Sequence, residues 1–453
     1  MVSKNGRRKV HEDVMIVDAS QFRSFVFRGE GRANIVISAK HRVTGNRLVW
    51  RFAKTRKSGQ LSLKGKSVVV GEFMEKMVFN CIESCNVLIP FSVSPLLNSH
   101  FLVRPRTVEM SVEDVHLLAK IPSLQTNTKV EDLSELEMVP SCLSLLPLSS
   151  IPQGISTITC LEMLDATCIP KRLALLSHRP TVTMEIKPKQ GYFQNHPGID
   201  LPYCNNCILQ IEKSRGKGAT YERMYDFCPL SLFSTQIQKQ RKALESLLEE
   251  PHRNLRIFVD GNVIMSEDVV PDRKKLEEVI FPQCDGCLDD LIDGLLGVLN
   301  GNGGSDGETR SLSLLEQLVN GQRMDVLGVV RAHELFFSLS TQEQAEVGRK
   351  VQSKEGLSFL QEDSSVALLK RFFLGATLKD CSVMISLRLL DESSKDEQDI
   401  ITLPSGKMFA YSAKIVDLDP KSPKNMVSAY RRLMEGASLL REDPSIRPPC
   451  ITD

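Results

Sequence analysis

The sequence predicts an α+β protein organised as two lobes. The chain has 453 residues, which is longer than one small domain, and 42% of them are hydrophobic, enough for a sizeable core. Strand-like segments occupy residues 24–52, whereas helical and strand-like segments are mixed between residues 181 and 440. No internal repeat is evident.

Three strands are predicted at residues 24–27, 34–40 and 48–52, where β-branched and aromatic side chains are frequent. Between the first two lies Arg28-Gly-Glu-Gly-Arg-Ala-Asn34, whose glycines allow the backbone to approach a phosphate chain closely. An ordinary hairpin turn is the alternative, because a lone Gly-x-Gly is common and Asn34 replaces the third glycine.

The rest of the chain is predicted to alternate between helices and strands. Apolar side chains recur at helical spacing or cluster in short runs, as amphipathic helices and buried strands require. The predicted helices are 111–121, with Ser111 as its N-cap, 239–250, 288–299, 311–338, 341–376 and 424–440. The predicted strands are 181–187, 255–259, 381–389 and 414–418. Residues 125–160 show no clear periodicity, 300–308 are expected to be a flexible loop, and 441–453 a disordered tail.

Composition excludes several classes of protein. The net charge is +1, so the chain is not a general polyanion binder such as a nucleic-acid-binding protein, and any basic site must be local. No apolar run approaches the roughly 18–20 residues of a membrane-spanning helix, and no apolar stretch follows the basic start. Twelve cysteines without a secretory signal indicate free thiols in a reducing compartment. We expect a cytoplasmic or nuclear monomer.

Two Cys-x-x-Cys pairs have the local spacing of zinc ligands. They are Cys204 with Cys207 and Cys284 with Cys287, and Cys207 and Cys284 lie 77 positions apart. A compact zinc module places its second pair about 12–20 residues after the first. We therefore expect buried or surface thiols here, and no redox role, because no thioredoxin-like context surrounds either pair.

The most informative segment is Glu-Ile-Lys-Pro-Lys at residues 185–189. In an extended strand alternate side chains share a face, so Glu185, Lys187 and Lys189 point the same way, and Pro188 blocks continuation as a central strand. Two ammonium groups and one carboxylate at a strand end suit a strongly anionic ligand. A solvated charged strand end is the alternative.

Two aspartates are also predicted to lie at strand ends. Asp380 precedes the apolar run 381–389, and Asp417 lies at the end of the predicted strand 414–418, with Lys421 four residues further on. Phosphoryl transfer needs a carboxylate for Mg²⁺ and often a second one to take a hydroxyl proton. Strand-end solubility is the alternative. A Walker loop and the His-Arg-Asp and Asp-Phe-Gly motifs of protein kinases are absent.

The order of these segments resembles that of the inositol-pentakisphosphate 2-kinase family. The resemblance rests on Arg28-Gly-Glu-Gly, Met184-Glu-Ile-Lys-Pro-Lys-Gln-Gly191, Phe227-Cys-Pro-Leu-Ser-Leu-Phe233, Asn254-Leu-Arg-Ile-Phe258 and residues 379–386. It implies a two-lobed inositol-phosphate kinase fold distantly like that of protein kinases. It also implies that ATP and Mg²⁺ are used to phosphorylate the 2-hydroxyl of inositol 1,3,4,5,6-pentakisphosphate, giving the hexakisphosphate. A degenerate, non-catalytic inositol-polyphosphate-binding protein is the alternative.

The resemblance also implies roles for particular residues. Asp380 would be the general base and Asp417 the magnesium ligand. The nucleotide would be bound by Gly31, Arg32, Ala33, Asn34, Arg51, Glu185, Lys187 and Arg256, with a hinge at Asp165, Ala166 and Thr167. The inositol phosphate would be bound by Lys189, Lys213, Asn254 and Lys421. The N-lobe would then be residues 1–165 and the C-lobe residues 166–440.

Several positions depart from the family pattern. A family histidine is Leu209 here, an asparagine is Arg253, a basic residue is Asn425 and an aromatic residue is Ala429. Plant members carry a Cys/His zinc site in the C-lobe. His333 matches one position of that site but no Cys-x-x-Cys follows it, so we expect no zinc there. These departures bear on substrate affinity more than on nucleotide chemistry.

Overall fold

A computed structural model shows a mixed α+β protein with two β-sheets. The residues it describes are 14–30, 34–53, 65–79, 97–118, 120–121, 130–136, 156–222, 224, 226–282, 286–301, 312–349, 358–391 and 399–450. The contacts divide the chain into two compact units, one of residues 1–71 and 105–165, the other of residues 72–104 and 166–453.

The first unit is built on a six-stranded sheet. Its strands, in chain order, are β1 Ile16–Val17, β2 Phe22–Glu30, β3 Asn34–His41, β4 Arg47–Ala53, β5 Arg106–Ser111 and β6 Thr157–Leu164. Their order across the sheet is β1-β5-β6-β4-β3-β2. All neighbours are antiparallel except β1 and β5, which are parallel.

The core of the first unit surrounds Trp50. This side chain is fully buried, packs edge-on against Phe22 with ring centroids 4.7 Å apart, and donates its indole N–H to Glu162 at 3.0 Å. Burial of an aromatic ring of this size supplies much of the hydrophobic stabilisation, and the indole N–H needs the partner it has. Helix α2 (Val112–Leu118) packs Val115 and Leu118 into the same cluster.

The second unit is built on a six-stranded antiparallel sheet. Its strands are β7 Val182–Ile186, β8 Leu255–Val259, β9 Asn262–Met265, β10 Ser382–Leu389, β11 Ile400–Thr402 and β12 Met408–Val416. Their order is β11-β12-β10-β7-β8-β9. Strand β10 is central and is buried along almost its whole length, as its mainly apolar sequence predicts.

Most of the helices belong to the second unit. Helix α1 is Gly65–Phe73, and it continues as a π-helical turn, Met74–Phe79. The helices after α2 are α3 Lys171–Ala174, α4 Asn205–Arg215, α5 Pro229–Leu232, α6 Ile237–Glu249, α7 Arg273–Ile280, α8 Leu288–Asn300, α9 Leu314–Gln322, α10 Gly328–Ser338, α11 Thr341–Val347, α12 Ser365–Leu378 and α13 Pro423–Glu442. Helices α4, α10, α12 and α13 enclose one hydrophobic cluster. No helix in the described ranges has both the length and the apolar character needed to span a bilayer.

The predicted elements are present, with differences that have local causes. The predicted helix 311–338 is two helices, because Asp325 accepts the N–H groups of Leu327 and Gly328, and Gly328 is left-handed with φ of 68°. The predicted helix 341–376 is likewise two, α11 and α12. Strand β12 begins at Met408, earlier than predicted, because it pairs with β10 along its length. Residues 31–33 and 302–308, parts of two predicted loops, lie outside the described residues.

The C-terminal segment is ordered through Cys450, in contrast to the expected tail at 441–453. Helix α13 continues to Glu442 and a short turn follows at Pro444–Ile446. The Tyr203 hydroxyl donates to the Arg447 carbonyl at 2.7 Å, and the Cys450 N–H donates to the Pro202 carbonyl at 2.9 Å. These contacts hold the segment against the region before α4, which the proline content of the tail does not reveal.

Candidate active site

The sheet of the second unit brings the two predicted aspartates to one edge. Strand β7 runs antiparallel to β10, with Ile186 opposite Val383, and β12 runs antiparallel to β10, with Val416 opposite Ser382. The end of β7, the start of β10 and the end of β12 therefore meet at the same edge. Residues 187–189, 380–382 and 417, which lie far apart in the sequence, become neighbours there.

Lys187 connects the ends of all three strands. Its ammonium group donates to the Ser382 hydroxyl at 2.8 Å and to the Asp417 carboxylate at 3.0 Å. Burial opposes the charge on Lys187, but Asp417, Glu185 and Asp380 outweigh it and hold the pKa of Lys187 above its usual value. Lys187 is therefore a fixed cation at the strand ends.

Glu185 extends the same network one strand further. The Ser382 hydroxyl donates to Glu185 at 2.9 Å and lies 3.4 Å from Asp417. Arg256, directly opposite Glu185 on β8, has its guanidinium 3.8 Å from the carboxylate. One hydroxyl thus links a lysine and two acids, an arrangement that fixes the positions of both carboxylates.

Asp380 lies between two lysines. Lys189 donates to one carboxylate oxygen at 3.0 Å, and Lys421 forms an ion pair with the other. Burial would raise the pKa of Asp380, but Lys189, Lys421 and Lys187 together hold it well below its usual range. The Asp380 side chain is 49% exposed, so the carboxylate can be reached from solvent.

Two residues of this edge have unusual backbone conformations. Lys189 and Asp417 are both left-handed, with φ of 63° and 61°. Such a conformation costs about 1–3 kcal/mol for a residue with a side chain and persists where the surroundings enforce it. Here it turns Lys189 towards Asp380 and Asp417 towards Lys187, so strain is concentrated where the side chains meet.

A second group of cations adjoins the first. Lys213, in the last turn of α4, has its ammonium group 5.4 Å from the centre of the Tyr221 ring. Burial, together with the positive charges of Lys189 and Arg432, lowers the pKa of Lys213 to about 8. A lysine that is held among other cations is stabilised when an anion binds beside it.

Asn254 has a supporting position. Its side chain is buried. Its backbone carbonyl accepts a hydrogen bond from the backbone N–H of Lys187 at 2.9 Å, which extends the pairing of β7 and β8 by one residue. Asn254 therefore lies immediately before β8, beside the backbone of Lys187. Arg253, which departs from the family pattern, donates to both oxygens of Glu267 at 3.0 Å.

The segment before Asp380 is held by a buried ion pair. Lys379 donates to Asp325 at 2.6 Å, and the Asp325 side chain is only 1% exposed. The other oxygen of Asp325 accepts the N–H groups at the start of α10. This pair joins α10 and α12 and fixes where α12 ends, immediately before Asp380.

The predicted nucleotide residues of the first unit are only partly described. Asn34 begins β3 opposite Ala53, and Arg51 lies on β4 between Val36 and Leu161. Gly31, Arg32 and Ala33 lie outside the described residues. Asp165 is buried, and its carboxylate accepts hydrogen bonds from the Arg28 guanidinium at 2.8 Å and from the Ser38 hydroxyl at 2.6 Å. That carboxylate joins β2 and β3.

The predicted hinge residues Ala166 and Thr167 belong to the second unit. The Ser386 hydroxyl donates to the Ala166 carbonyl at 3.0 Å, and the Thr183 hydroxyl lies 3.2 Å from the Thr167 carbonyl. These contacts attach the segment to β7 and β10 through its backbone oxygens.

Three functional groups were missed by sequence reasoning. Ser382 and Asp325 bond to the acids and lysines described above, and Arg432, which pairs with Glu212, adds positive charge near Lys213; none of the three was predicted. Ser382 could have been found, because it lies at the start of the apolar run that follows Asp380. Asp325 and Arg432 have no local signal, since their roles depend on contacts between helices.

The acids at the strand ends suit a hard divalent cation. Asp417 and Glu185 offer carboxylate oxygens within one hydrogen-bonded cluster around Ser382, and oxygen ligands are what Mg²⁺ prefers. Asp417 is 41% exposed and Glu185 14% exposed on the side chain, so Asp417 is the more accessible ligand.

Comparison with known proteins gives consistent matches. A family model described as inositol-pentakisphosphate 2-kinase matches residues 27–434. A protein of that name from Danio rerio is 27% identical over 326 residues, covering 57% of this chain and 66% of its own length. One from Arabidopsis thaliana is 26% identical over 267 residues, covering 55% of this chain and 57% of its own length. The chain thus spans less than two thirds of either relative.

Proposed function

Because the chain belongs to the inositol-pentakisphosphate 2-kinase family, we propose that it transfers the terminal phosphate of ATP to the 2-hydroxyl of inositol 1,3,4,5,6-pentakisphosphate. The product is inositol hexakisphosphate. This reaction is the one for which those relatives are named. The acids and lysines at the ends of β7, β10 and β12 are suited to it.

The observation that carries the proposal is the pairing of each predicted aspartate with lysines. Asp380 contacts Lys189 and Lys421, and Asp417 contacts Lys187. Phosphoryl transfer is catalysed mainly by positioning and by stabilising the charge of the phosphates. An acid that takes a proton, next to cations that neutralise phosphate, meets both needs.

In the proposed step, the 2-hydroxyl oxygen forms a bond to the terminal phosphorus of ATP. The bond from that phosphorus to the oxygen bridging to the β-phosphate breaks, and ADP leaves with the electron pair. Asp380 accepts the hydroxyl proton. Lys189 and Lys421 are both ion-paired with Asp380. Substrate phosphates would compete for both lysines, and this competition raises the pKa of Asp380 towards that of a useful base.

Asp417 would hold Mg²⁺, and Glu185 lies close enough to assist it. The metal would neutralise charge on the ATP phosphates, while Lys187 keeps the Asp417 side chain in place. Glu185, Lys187 and Arg256 would face the nucleotide.

We assign the first unit, with Asn34, Arg51 and the loop containing Gly31, Arg32 and Ala33, to the ATP phosphates. The two units correspond in this proposal to the N-lobe and C-lobe of a fold distantly like that of protein kinases, with Asp165, Ala166 and Thr167 as the hinge. Lys189, Lys213, Asn254 and Lys421 would bind the inositol phosphate. Charged hydrogen bonds contribute about 1.5–3 kcal/mol each, so four such contacts supply roughly 6–12 kcal/mol before the cost of association, whereas micromolar binding requires about 8 kcal/mol net.

The deciding experiment is product analysis of the purified chain incubated with Mg-ATP and inositol pentakisphosphate. We expect inositol hexakisphosphate that carries the new phosphate on the 2-position. Asp380→Asn should abolish turnover while ATP still binds, because the amide keeps the shape of the side chain but cannot take the proton.

Asp391→Asn is the matched control. Asp391 follows the opposite end of β10, is 44% exposed and pairs with Arg179. It should retain wild-type turnover. Binding of the pentakisphosphate without any turnover by the wild-type chain would instead support the non-catalytic alternative, and equal turnover by Asp380→Asn would remove Asp380 from the mechanism.

A further inference from the structure

Gln322, the last residue of α9, has a fully buried side chain next to the edge at which β7 and β12 end and β10 begins, here called the strand-end edge. Burying an amide is costly unless its donors and its acceptor have partners. Both the nitrogen and the oxygen of this amide are partnered. Each partner is a backbone group in a segment that carries a candidate site residue.

The Gln322 amide holds the turn that follows β7. Its nitrogen donates to the Lys189 carbonyl at 2.8 Å, and its oxygen accepts a hydrogen bond from the Gly191 N–H at 2.8 Å. The two bonds lie on either side of Gln190, so they fix the backbone before and after that residue. Lys189 is left-handed, with φ of 63°, and such a conformation persists where the surroundings enforce it. The amide is one such constraint, applied to the carbonyl of the strained residue itself.

The same amide nitrogen also contacts the end of α12, where it donates to the Leu378 carbonyl at 3.3 Å. The last four carbonyls of a helix have no partner within the helix, so a side chain can supply one. Leu378 is the last residue of α12 and lies two positions before Asp380. One side chain therefore joins the backbone that presents Lys189 to the backbone that presents Asp380, and those two residues form an ion pair at 3.0 Å.

The position of Gln322 is itself fixed by close packing. Its backbone carbonyl accepts hydrogen bonds from the Tyr192 hydroxyl at 3.3 Å and from the Asp325 N–H at 3.2 Å. The ends of α9 and α12 also approach closely, since a Cβ atom added at Gly321 would lie 2.6 Å from the Leu378 side chain. The missing side chain at Gly321 permits this approach. It brings the Leu378 carbonyl within reach of the amide.

We propose that Gln322 is a positioning residue whose amide sets the placement of Lys189 relative to Asp380. This role rests on the proposed function, in which Lys189 binds the inositol phosphate and Asp380 accepts the hydroxyl proton. A general base must lie within hydrogen-bond reach of the proton that it takes. A misplacement of about 1 Å in a positioned group can lower a rate about 100-fold.

Gln322→Glu tests the role with almost no change in shape. The carboxylate keeps an acceptor for the Gly191 N–H, but it turns an oxygen instead of a donor towards the carbonyls of Lys189 and Leu378. We expect kcat to fall about 10-fold and the KM for the pentakisphosphate to rise. The KM for ATP should stay unchanged, because the displaced groups, Lys189 and Asp380, serve the inositol phosphate.

The kinetic loss in Gln322→Glu should also depend on pH. Burial against carbonyl oxygens raises the pKa of a carboxyl group, and the protonated form recovers one O–H donor. The ratio of wild-type kcat to variant kcat should therefore shrink as the pH is lowered from about 8 to about 6. If Gln322→Glu does not fold, Gln322→Met, which removes the donors and the acceptor, should show the same losses in kcat and KM without this pH dependence.

Gln317→Glu is the matched control on the same helix. Gln317 is also buried, and its amide likewise joins two backbone groups: it accepts from the Asn98 N–H and donates to the Leu312 carbonyl, both at 2.6 Å. Neither partner belongs to a segment that carries a candidate site residue. The control should lose about as much melting temperature as Gln322→Glu, yet keep wild-type kcat and KM at every pH.

The outcomes separate this role from the proposed function. Wild-type kinetic constants in Gln322→Glu, or equal kinetic losses in Gln322→Glu and Gln317→Glu, would overturn the role of Gln322 and leave the proposed function standing. If the wild-type chain makes no hexakisphosphate, the proposed function fails. Calorimetric titration with inositol hexakisphosphate then decides whether Gln322 positions Lys189. A several-fold larger Kd in Gln322→Glu than in Gln317→Glu supports that role, and equal Kd values overturn it.

Discussion

At the scale of one residue, Lys213, which we propose binds the inositol phosphate, differs from an ordinary surface lysine in its pKa. Its pKa is lowered to about 8 first by burial and then by the positive charges of Lys189 and Arg432. A bound phosphate reverses the second effect and compensates the first. Ligand binding and protonation of this side chain are therefore coupled.

The coupling predicts that affinity for inositol hexakisphosphate decreases as pH rises through about 8. Below that value Lys213 is charged both with and without ligand, whereas above it binding must take up a proton. A one-proton effect weakens binding by at most about tenfold between pH 7 and 9. Calorimetric titration across that range measures it.

Lys213→Arg should flatten this pH profile, because arginine stays charged throughout. A wild-type profile that is flat over the same range, or a variant with an unchanged slope, would show that another group controls the dependence.

Ser382 is the second residue with a specific expectation. Its hydroxyl is bonded to Lys187 and Glu185 and lies beside Asp417. Hydrogen bonds to charged groups contribute about 1.5–3 kcal/mol, so Ser382→Ala should lower kcat/KM about 10- to 100-fold. Ser412→Ala, a buried serine on the neighbouring strand, should have a much smaller effect on turnover. Equal losses in the two variants would mean that the effect comes from general destabilisation of the sheet.

At the scale of secondary structure, the pairing of strands decides which candidate site residues become neighbours. Strand β10 is flanked by β7 and β12, and the antiparallel registers place residues 187, 382 and 417 together at one edge. A slip of one residue would turn these side chains to the other face of the sheet. The buried apolar residues of β10 on both faces make such a slip costly.

The loop between α9 and α10 contacts the residue immediately before Asp380. Asp325 is the buried partner of Lys379, which precedes Asp380. Removal of one partner from a buried ion pair costs about 3–5 kcal/mol, because the other charge is left without compensation. Asp325→Ala should therefore lower the free energy of unfolding by about that amount, as measured by urea denaturation.

Asp363→Ala is the comparison for Asp325→Ala. Asp363 pairs with Arg371 but is 92% exposed, so its loss should cost about 0–1 kcal/mol. If both variants lost the same stability, the burial of the Asp325 pair would not be the cause.

At the scale of the whole molecule, charge is balanced overall and concentrated locally. The net charge is +1, so long-range attraction contributes little to the capture of a polyphosphate. Under the proposed function, affinity comes from the cations that adjoin the strand-end edge, which are partly desolvated and close to one another. The thermal stability of the chain should respond to ligands of matching shape and charge.

Inositol hexakisphosphate should raise the melting temperature, because a ligand that binds only the folded state stabilises it by RT ln(1 + [L]/Kd), where [L] is the free ligand concentration. Sulfate at equal ionic strength should produce a much smaller rise. Lys189→Ala should reduce the ligand-induced rise, whereas Lys274→Ala, which removes an 88% exposed lysine on α7, should leave it unchanged. Equal responses of the two variants would contradict a local site.

The sequence by itself determined most of the elements and many of the residues of the site. The Glu-Ile-Lys-Pro-Lys strand end, the positions of Asp380 and Asp417, and the family were readable from local pattern and residue order, because strand periodicity and charge type are local properties. The family was confirmed by the match over residues 27–434.

The tertiary structure alone decided which of these groups are neighbours. The ion pairs of Asp380 with Lys189 and Lys421, the bridging hydroxyl of Ser382 and the meeting of Cys450 with Cys204 join residues far apart in the chain. Such contacts depend on strand register and helix packing, which are set by burial summed over whole elements. No short window of sequence contains that information.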